Sequence, residues 1–289
     1  MDNELYLDDK IVKIIVDLKD EEISKRDLGK KYPNKVLRGD LLEILDNDCV
    51  VIYFPIENER NNGFHRKMHS SRGVIHFVFI NTNMTNDRQV FTAAHELGHL
   101  WGIDSSVIDR MTKAKIAFED SNDLRESIIN RFAAELLMPE FEFRNSFEAY
   151  NQEINDSKSS IRLIDLLSII VHLMDRFLAP FKSVLLRLSE VQILDSITQR
   201  KIMEKYETQG EIYNLVSELI KKYGYVELIQ PTGKRYIKNL DVMLKKAENG
   251  KLINEDKINR FSELFEIDLS ADDSSDLLKE DLFELSNLE

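Results

Sequence analysis

The 289-residue chain holds one cysteine, five prolines and ten glycines, and each scarcity excludes something. A lone Cys49 cannot form an intramolecular disulfide. Its place in the apolar run Asp48-Cys49-Val50-Val51-Ile52-Tyr53-Phe54 reads as a strand thiol in a reducing compartment. With so little Gly and Pro, no linker marks a domain boundary, and no internal repeat is visible. The start, Met1-Asp2-Asn3-Glu4-Leu5-Tyr6, lacks the basic flank, apolar run and cleavage site of a secretion leader. The longest apolar stretch, 161–181, is interrupted by Arg162, Asp165, His172 and Asp175, too often for a membrane span. The expected location is the cytoplasm, with no membrane partner.

Charge is uneven as well. The net charge is −13, and residues 266–289 hold nine acidic residues against the single Lys279. Most of the excess is therefore an acidic tail, read as a solvated end. The rest has no long basic stripe, so direct nucleic-acid binding is not expected. At 43% hydrophobic residues, the chain can bury a sizeable core.

Ile11, Ile14, Ile15 and Leu18 recur at helical spacing, and a second helix is expected near Leu41, Leu42 and Leu45. Two strand-like runs follow, Val50–Phe54 and 73–80, the latter closed by Asn81-Thr82-Asn83. The polar stretch 57–73 between them reads as a loop.

Chemistry enters after the second strand. Thr85, Asn86 or Asp87 can cap a helix through Val90, Phe91, Ala94, Leu97 and Leu100. This helix carries His95-Glu96-Leu97-Gly98-His99. Residues four apart share a helix face, so His95 and His99 can hold one metal ion. Glu96 lies about 100 degrees round the helix from His95, placed as a general base toward an activated water. Such a site takes zinc, with manganese as the alternative, and zinc normally has three protein ligands.

No remaining histidine stands at a short downstream spacing, so a carboxylate on a second helix is the better candidate for the third. The helix expected over 123–138, ended by Pro139, offers Glu126 and Glu135. Nine positions put them on opposite sides, so both cannot face one metal. Asn130 shares the face of Glu126 and could orient the metal-site groups by hydrogen bonds. Geometry favours Glu126 and leaves open a solvated acid in the first helical turn, where acids are favoured anyway.

The blocks Thr92-Ala93-Ala94-His95-Glu96-Leu97-Gly98-His99-Leu100 and Glu126-Ser127-Ile128-Ile129-Asn130-Arg131-Phe132-Ala133-Ala134-Glu135-Leu136-Leu137-Met138-Pro139 resemble the ImmA/IrrE family of bacterial and phage metallopeptidases. The resemblance implies that His95, His99 and Glu126 ligate the metal, beside Glu96 as the expected general base. It also implies a protein substrate, a helix-turn-helix repressor of a mobile element or stress regulon. Family members often carry a second acid and a small residue before the asparagine, where this chain has Ile128 and Ile129. The likeness covers roughly residues 10–195.

The expected fold is α+β and mostly helical. A zincin-like metallopeptidase core with a small sheet (1–145) is followed by a helical, helix-turn-helix-like segment (146–196). After it come a mainly helical C-terminal region (197–265) and the acidic tail (266–289). In the middle segment the presumed second helix offers only Lys182 and Arg187 as basic groups, which favours a packing module over DNA recognition. In the C-terminal region, 223–229 and 235–237 around Pro231-Thr232-Gly233 read as a hairpin. The strand 74–80 is a plausible edge for an extended substrate. A donor to the substrate carbonyl cannot be chosen among His65, His69, His76 and the tyrosines. The competing class is a non-cleaving regulatory protein that binds a repressor or DNA.

Overall fold

The structure, a computed structural model, describes residues 7–32, 36–58, 61–70, 73–154 and 161–269. It opens with α1 (Asp9–Lys25), the short α2 (Leu28–Lys31) and α3 (Asp40–Asp48). α1 starts where Asp8 accepts a hydrogen bond from the Lys10 amide at 2.7 Å, answering one of the N–H groups that a helix start leaves unpaired. It buries Ile11, Ile15 and Leu18, a stripe at one-turn spacing.

Three strands follow, β1 (Val50–Phe54), β2 (Gly63–Ser70) and β3 (Gly73–Asn81), in spatial order β1-β3-β2. β1 runs parallel to β3 with Val51 beside Val78, and β2 runs antiparallel with His65 beside Val78. Two expectations are corrected here. Much of the stretch read as a loop is β2. Its polar residues sit on an edge strand that needs no continuous apolar run, because pairing with β3 supplies its backbone partners. The expected edge strand, β3, is paired on both sides, so the open edges of this sheet are β1 and β2, and β2 is the one that runs antiparallel to β3.

The rest of the described chain is helical. In order come α4 (Asn86–Leu100), α5 (Ile103–Lys113), α6 (Asn122–Leu137), α7 (Glu140–Ile154), α8 (Leu163–Phe177), α9 (Phe181–Glu190), α10 (Ser196–Glu207), α11 (Glu211–Tyr223), α12 (Leu240–Asn249) and α13 (Glu255–Phe265). The architecture is thus mostly helical α+β with one small sheet. The apolar stretch at 161–181 supplies α8, a core helix whose polar interruptions are answered inside the fold. Arg162 forks onto Asp165 with two 2.7 Å hydrogen bonds, and the His172 ring lies 2.9 Å from the Tyr225 hydroxyl. No helix among the described residues is long and apolar enough to cross a membrane.

The chain forms two compact units that divide between Lys234 and Arg235. In the first, segments distinguished by sequence pattern share one core, from Ile11 through Phe132 and Leu185 to Leu228. The second contains α12 and α13, with Leu240, Leu244, Ile258 and Phe265 buried. Most of the acidic tail, 270–289, lies outside the described residues.

The expected C-terminal hairpin is also corrected. α11 stops at Gly224, whose φ of 77° a side chain would disfavour, and Val226–Ile229 is a 3-10 turn. Residues 230–233 lie along the β3–α4 turn instead. Asn86 N donates to Gln230 O at 3.0 Å and Gly233 N to Thr82 O at 2.9 Å. The Thr232 hydroxyl donates to Gln89 Oε1 at 2.8 Å. The expected turn of the hairpin is thereby joined to the start of α4, and its expected first strand is the end of α11 and the 3-10 turn.

One buried ionic cluster ties α9 to α6. The Arg187 side chain is 0% exposed. It donates twice to the Glu135 carboxylate, at 2.7 Å each, and once to Met138 O at 3.0 Å. Arg131 adds a 2.8 Å contact to Glu135 and another to Glu190. Breaking a buried pair leaves an uncompensated charge. Arg187→Met should therefore cost about 3–5 kcal/mol in urea unfolding, and adding Glu135→Leu should restore part of the loss. Burial alone would raise the Glu135 carboxyl, but Arg187 and then Arg131 hold it below its ordinary 4.5. Its share of stability should be complete above that value and fade as pH falls through the lowered folded value, which unfolding followed between neutral and acid pH would measure.

Candidate metal centre

α4 is fixed along its length before any ligand is considered. At its start the Gln89 amide donates to Met84 O at 2.7 Å, and Thr85 Oγ1 contacts Asp87 Oδ1 at 2.5 Å. At its end the Trp101 indole donates to Asp48 Oδ2 at 2.7 Å, with the Arg26 guanidinium 4.2 Å from the ring centre. Val90, Ala93, Ala94 and Leu97 are fully buried. They turn one face of the helix inward and leave His95, Glu96 and His99 round the other side.

α6 packs closely against this helix, and Gly98 permits it. A Cβ at Gly98 would lie 3.0 Å from Phe132 Cδ1 and 3.1 Å from Ile129 Cδ1. The bulky Ile129 noted in the sequence thus fills the space that the glycine leaves. The start of α6 is held by Ser121, whose hydroxyl accepts from Leu124 N at 3.2 Å. Arg125 ties it further, with 2.8 Å contacts to Asp104 Oδ2 and Asp120 Oδ1.

The two helices bring three sequence candidates together. His95 Nε2 lies 3.1 Å from His99 Nε2 and 3.4 Å from Glu126 Oε2, and His99 Nε2 lies 3.6 Å from Glu126 Oε1. All three ligand atoms fall within 4.8 Å of one another. The rings of His95 and His99 meet at 69°, so their nitrogens converge at an angle. Asn130 Oδ1 lies 2.9 Å from His95 Nδ1. That oxygen only accepts, which puts the His95 proton on Nδ1 and leaves the Nε2 lone pair facing His99 and Glu126. Two imidazole nitrogens and a carboxylate, oriented from behind, suit a catalytic zinc ion, and the Glu126 side chain is 54% exposed, open to solvent.

Glu96 lies beside these groups with its residue only 5% exposed. Burial pushes its carboxyl up to about 7, His95 lowers it and Glu126 raises it. Its proton affinity therefore lies near neutrality, where a group can both take and return a proton. Contact with His95 holds Glu126 below the usual carboxylate range despite burial. Glu135 is turned away and bound to Arg187, so the two glutamates of α6 diverge.

Two neighbours were not assigned from the sequence. β2 lies against α4, where a Cβ on Gly63 would sit 2.6 Å from Thr92 Cγ2. On that same strand His65 Nε2 lies 2.8 Å from His76 Nδ1 of β3. The alternation of Phe64 and Met68 with His65, Lys67 and His69 was the available strand signal.

Gly98→Ala should destabilise the protein by about 1–3 kcal/mol, because the new methyl crowds a packed contact. Ile129→Val in the same chain should recover part of that loss in thermal unfolding. Equal stability of Gly98→Ala and the unaltered protein would contradict the packing described.

Residues 46–189 match the Peptidase M78 family, described as the IrrE N-terminal-like domain. No curated protein matches the chain. A solved structure of a Mycobacterium tuberculosis transcriptional regulator is similar with 17% identity and a TM-score of 0.38, over 62% of this chain and 51% of that one. The chain thus spans about half the length of that regulator. With the matched region containing both α4 and α6, the chain belongs to the ImmA/IrrE family.

Proposed function

We propose that the protein is a metal-dependent endopeptidase that hydrolyses a peptide bond in a partner protein. The observation that carries this reading is the convergence of His95, His99 and Glu126 with Glu96 alongside. A zinc ion, or manganese in its place, supplies Lewis acidity toward water and the scissile carbonyl when bound. The protein's own groups do the rest. His95, His99 and Glu126 hold the ion, and Asn130 fixes the ring of His95. Glu96 takes a proton from the attacking water and returns it to the leaving amine.

The substrate class follows the family resemblance: a helix-turn-helix repressor of a mobile element or stress regulon. The open side of β2, next to α4, could pair with an extended segment of such a protein. The competing reading, a regulator that binds a repressor or DNA without cutting, gains little from α9. Its Lys182 lies 2.5 Å from Glu207 Oε1, and Arg187 is buried on Glu135. A glutamate next to a metal-binding histidine also has no use in a protein that only binds.

Bound metal should be near one equivalent in the unaltered protein and should fall sharply in His95→Ala and Glu126→Ala. Glu96→Gln should keep the metal and lose cleavage of repressors encoded beside the gene, by a factor of about 100 or more. Full metal occupancy in both ligand variants would contradict the site, and cleavage by Glu96→Gln at the normal rate would contradict the base.

A further inference from the structure

The histidine pair on the sheet is built differently from the pair on α4. His65 and His76 are nearly parallel, with 12° between ring planes and centroids 5.0 Å apart. Their nitrogens are only 2.8 Å apart. That combination arises when the short contact lies near the line joining the ring centres. It is a head-on imidazole hydrogen bond, in which one nitrogen carries the proton and the other offers its lone pair. Nitrogens in that arrangement face each other and do not converge on a third point as those of His95 and His99 do.

The pair also has a defined place. Alternate strand residues share a face, so His65 lies on the side of β2 where Gly63 meets Thr92 of α4. Arg88 of α4 donates to Asn62 Oδ1 at 2.8 Å, just before β2, Gly63 meets Thr92 and His99 acts on His65, so α4 and β2 run the same way. Two residues along β2 advance about 6.6 Å, or about four residues of helix. Starting from Thr92, this puts His65 at about the level of Glu96. Burial pushes the His65 imidazole down to about 4, and His76, Lys67 and His99 act in the same direction, which fits a neutral ring close to the α4 histidines.

We propose that His65, held in place by His76, is a substrate-contacting hydrogen-bond donor of this site, directed at the carbonyl oxygen of the peptide bond to be cut. The proposal rests on the peptidase reading above. Negative charge grows on that oxygen during hydrolysis, and a fixed neutral donor stabilises it without rearrangement. Because His65 Nε2 faces His76, its other nitrogen must be the donor. This fixes both tautomers: His76 Nδ1–H donates to His65 Nε2, and His65 carries its proton on Nδ1.

The test uses the full chain loaded with zinc and acetohydroxamate as the probe, a small bidentate group whose oxygens stand in for the attacking water and the carbonyl oxygen. Loss of one hydrogen bond should weaken acetohydroxamate binding about tenfold in His65→Ala. His65→Gln, which keeps an N–H donor, should recover most of it, and bound zinc should be unchanged in both. Histidine-ring nitrogen NMR of the unaltered protein should show His65 protonated on Nδ1 with Nε2 accepting. Unchanged acetohydroxamate affinity in zinc-loaded His65→Ala, or a proton on His65 Nε2, would overturn the donor role while leaving the peptidase reading intact. An unaltered protein that retains no zinc would overturn both.

Discussion

The site depends on one close approach, that of α4 and α6 at Gly98. His95 and His99 are brought together by helix geometry alone, since residues four apart share a face. Their meeting with Glu126 and Asn130 is a tertiary event, and it requires two helices to touch with no side chain between them on the α4 side. Phe132 and Ile129 fill the space that a Cβ at Gly98 would enter. The same contact puts Asn130 within 2.9 Å of His95, so packing sets ring orientation as well as the spacing of the three side chains.

Several less local devices hold these helices in place. Residues 230–233 bind the turn that starts α4. Trp101, Asp48 and Arg26 hold its other end. Arg187 and Glu135 fix the far half of α6 by a charge pair removed from water, while Arg125 ties its first turn to Asp104 and Asp120. Such a framework is what a catalytic metal site requires, because its groups must be held before substrate arrives. The exposed face of Glu126 shows that the rigidity does not close the site.

Some of this was legible in the sequence because it is local. The spacing of His95 and His99, the shared face of Glu126 and Asn130, and the opposite orientation of Glu135 follow from 3.6 residues per turn. The pairing of the two helices is not local, and the family resemblance supplied it. β2 was missed because an edge strand can be polar, and β3 was taken for an edge because strand order is not written in strand composition. The contact of Thr232 with Gln89 spans 143 residues. It rests on a side-chain and backbone network that no periodicity reports, so 223–237 looked like a hairpin. Arg187 read as one of two surface cations on a recognition-like helix; its buried partner Glu135 is 52 residues away.

The proposed chemistry stands or falls on whether His95, His99 and Glu126 hold one metal ion. X-ray absorption at the zinc edge on the zinc-loaded full chain tests it most directly. The expected spectrum has a first shell of nitrogen and oxygen at about 2.0–2.2 Å, with the outer-shell pattern of two imidazoles, reduced to one imidazole in His99→Ala. A sulfur neighbour, or a spectrum unchanged by His99→Ala, would contradict it.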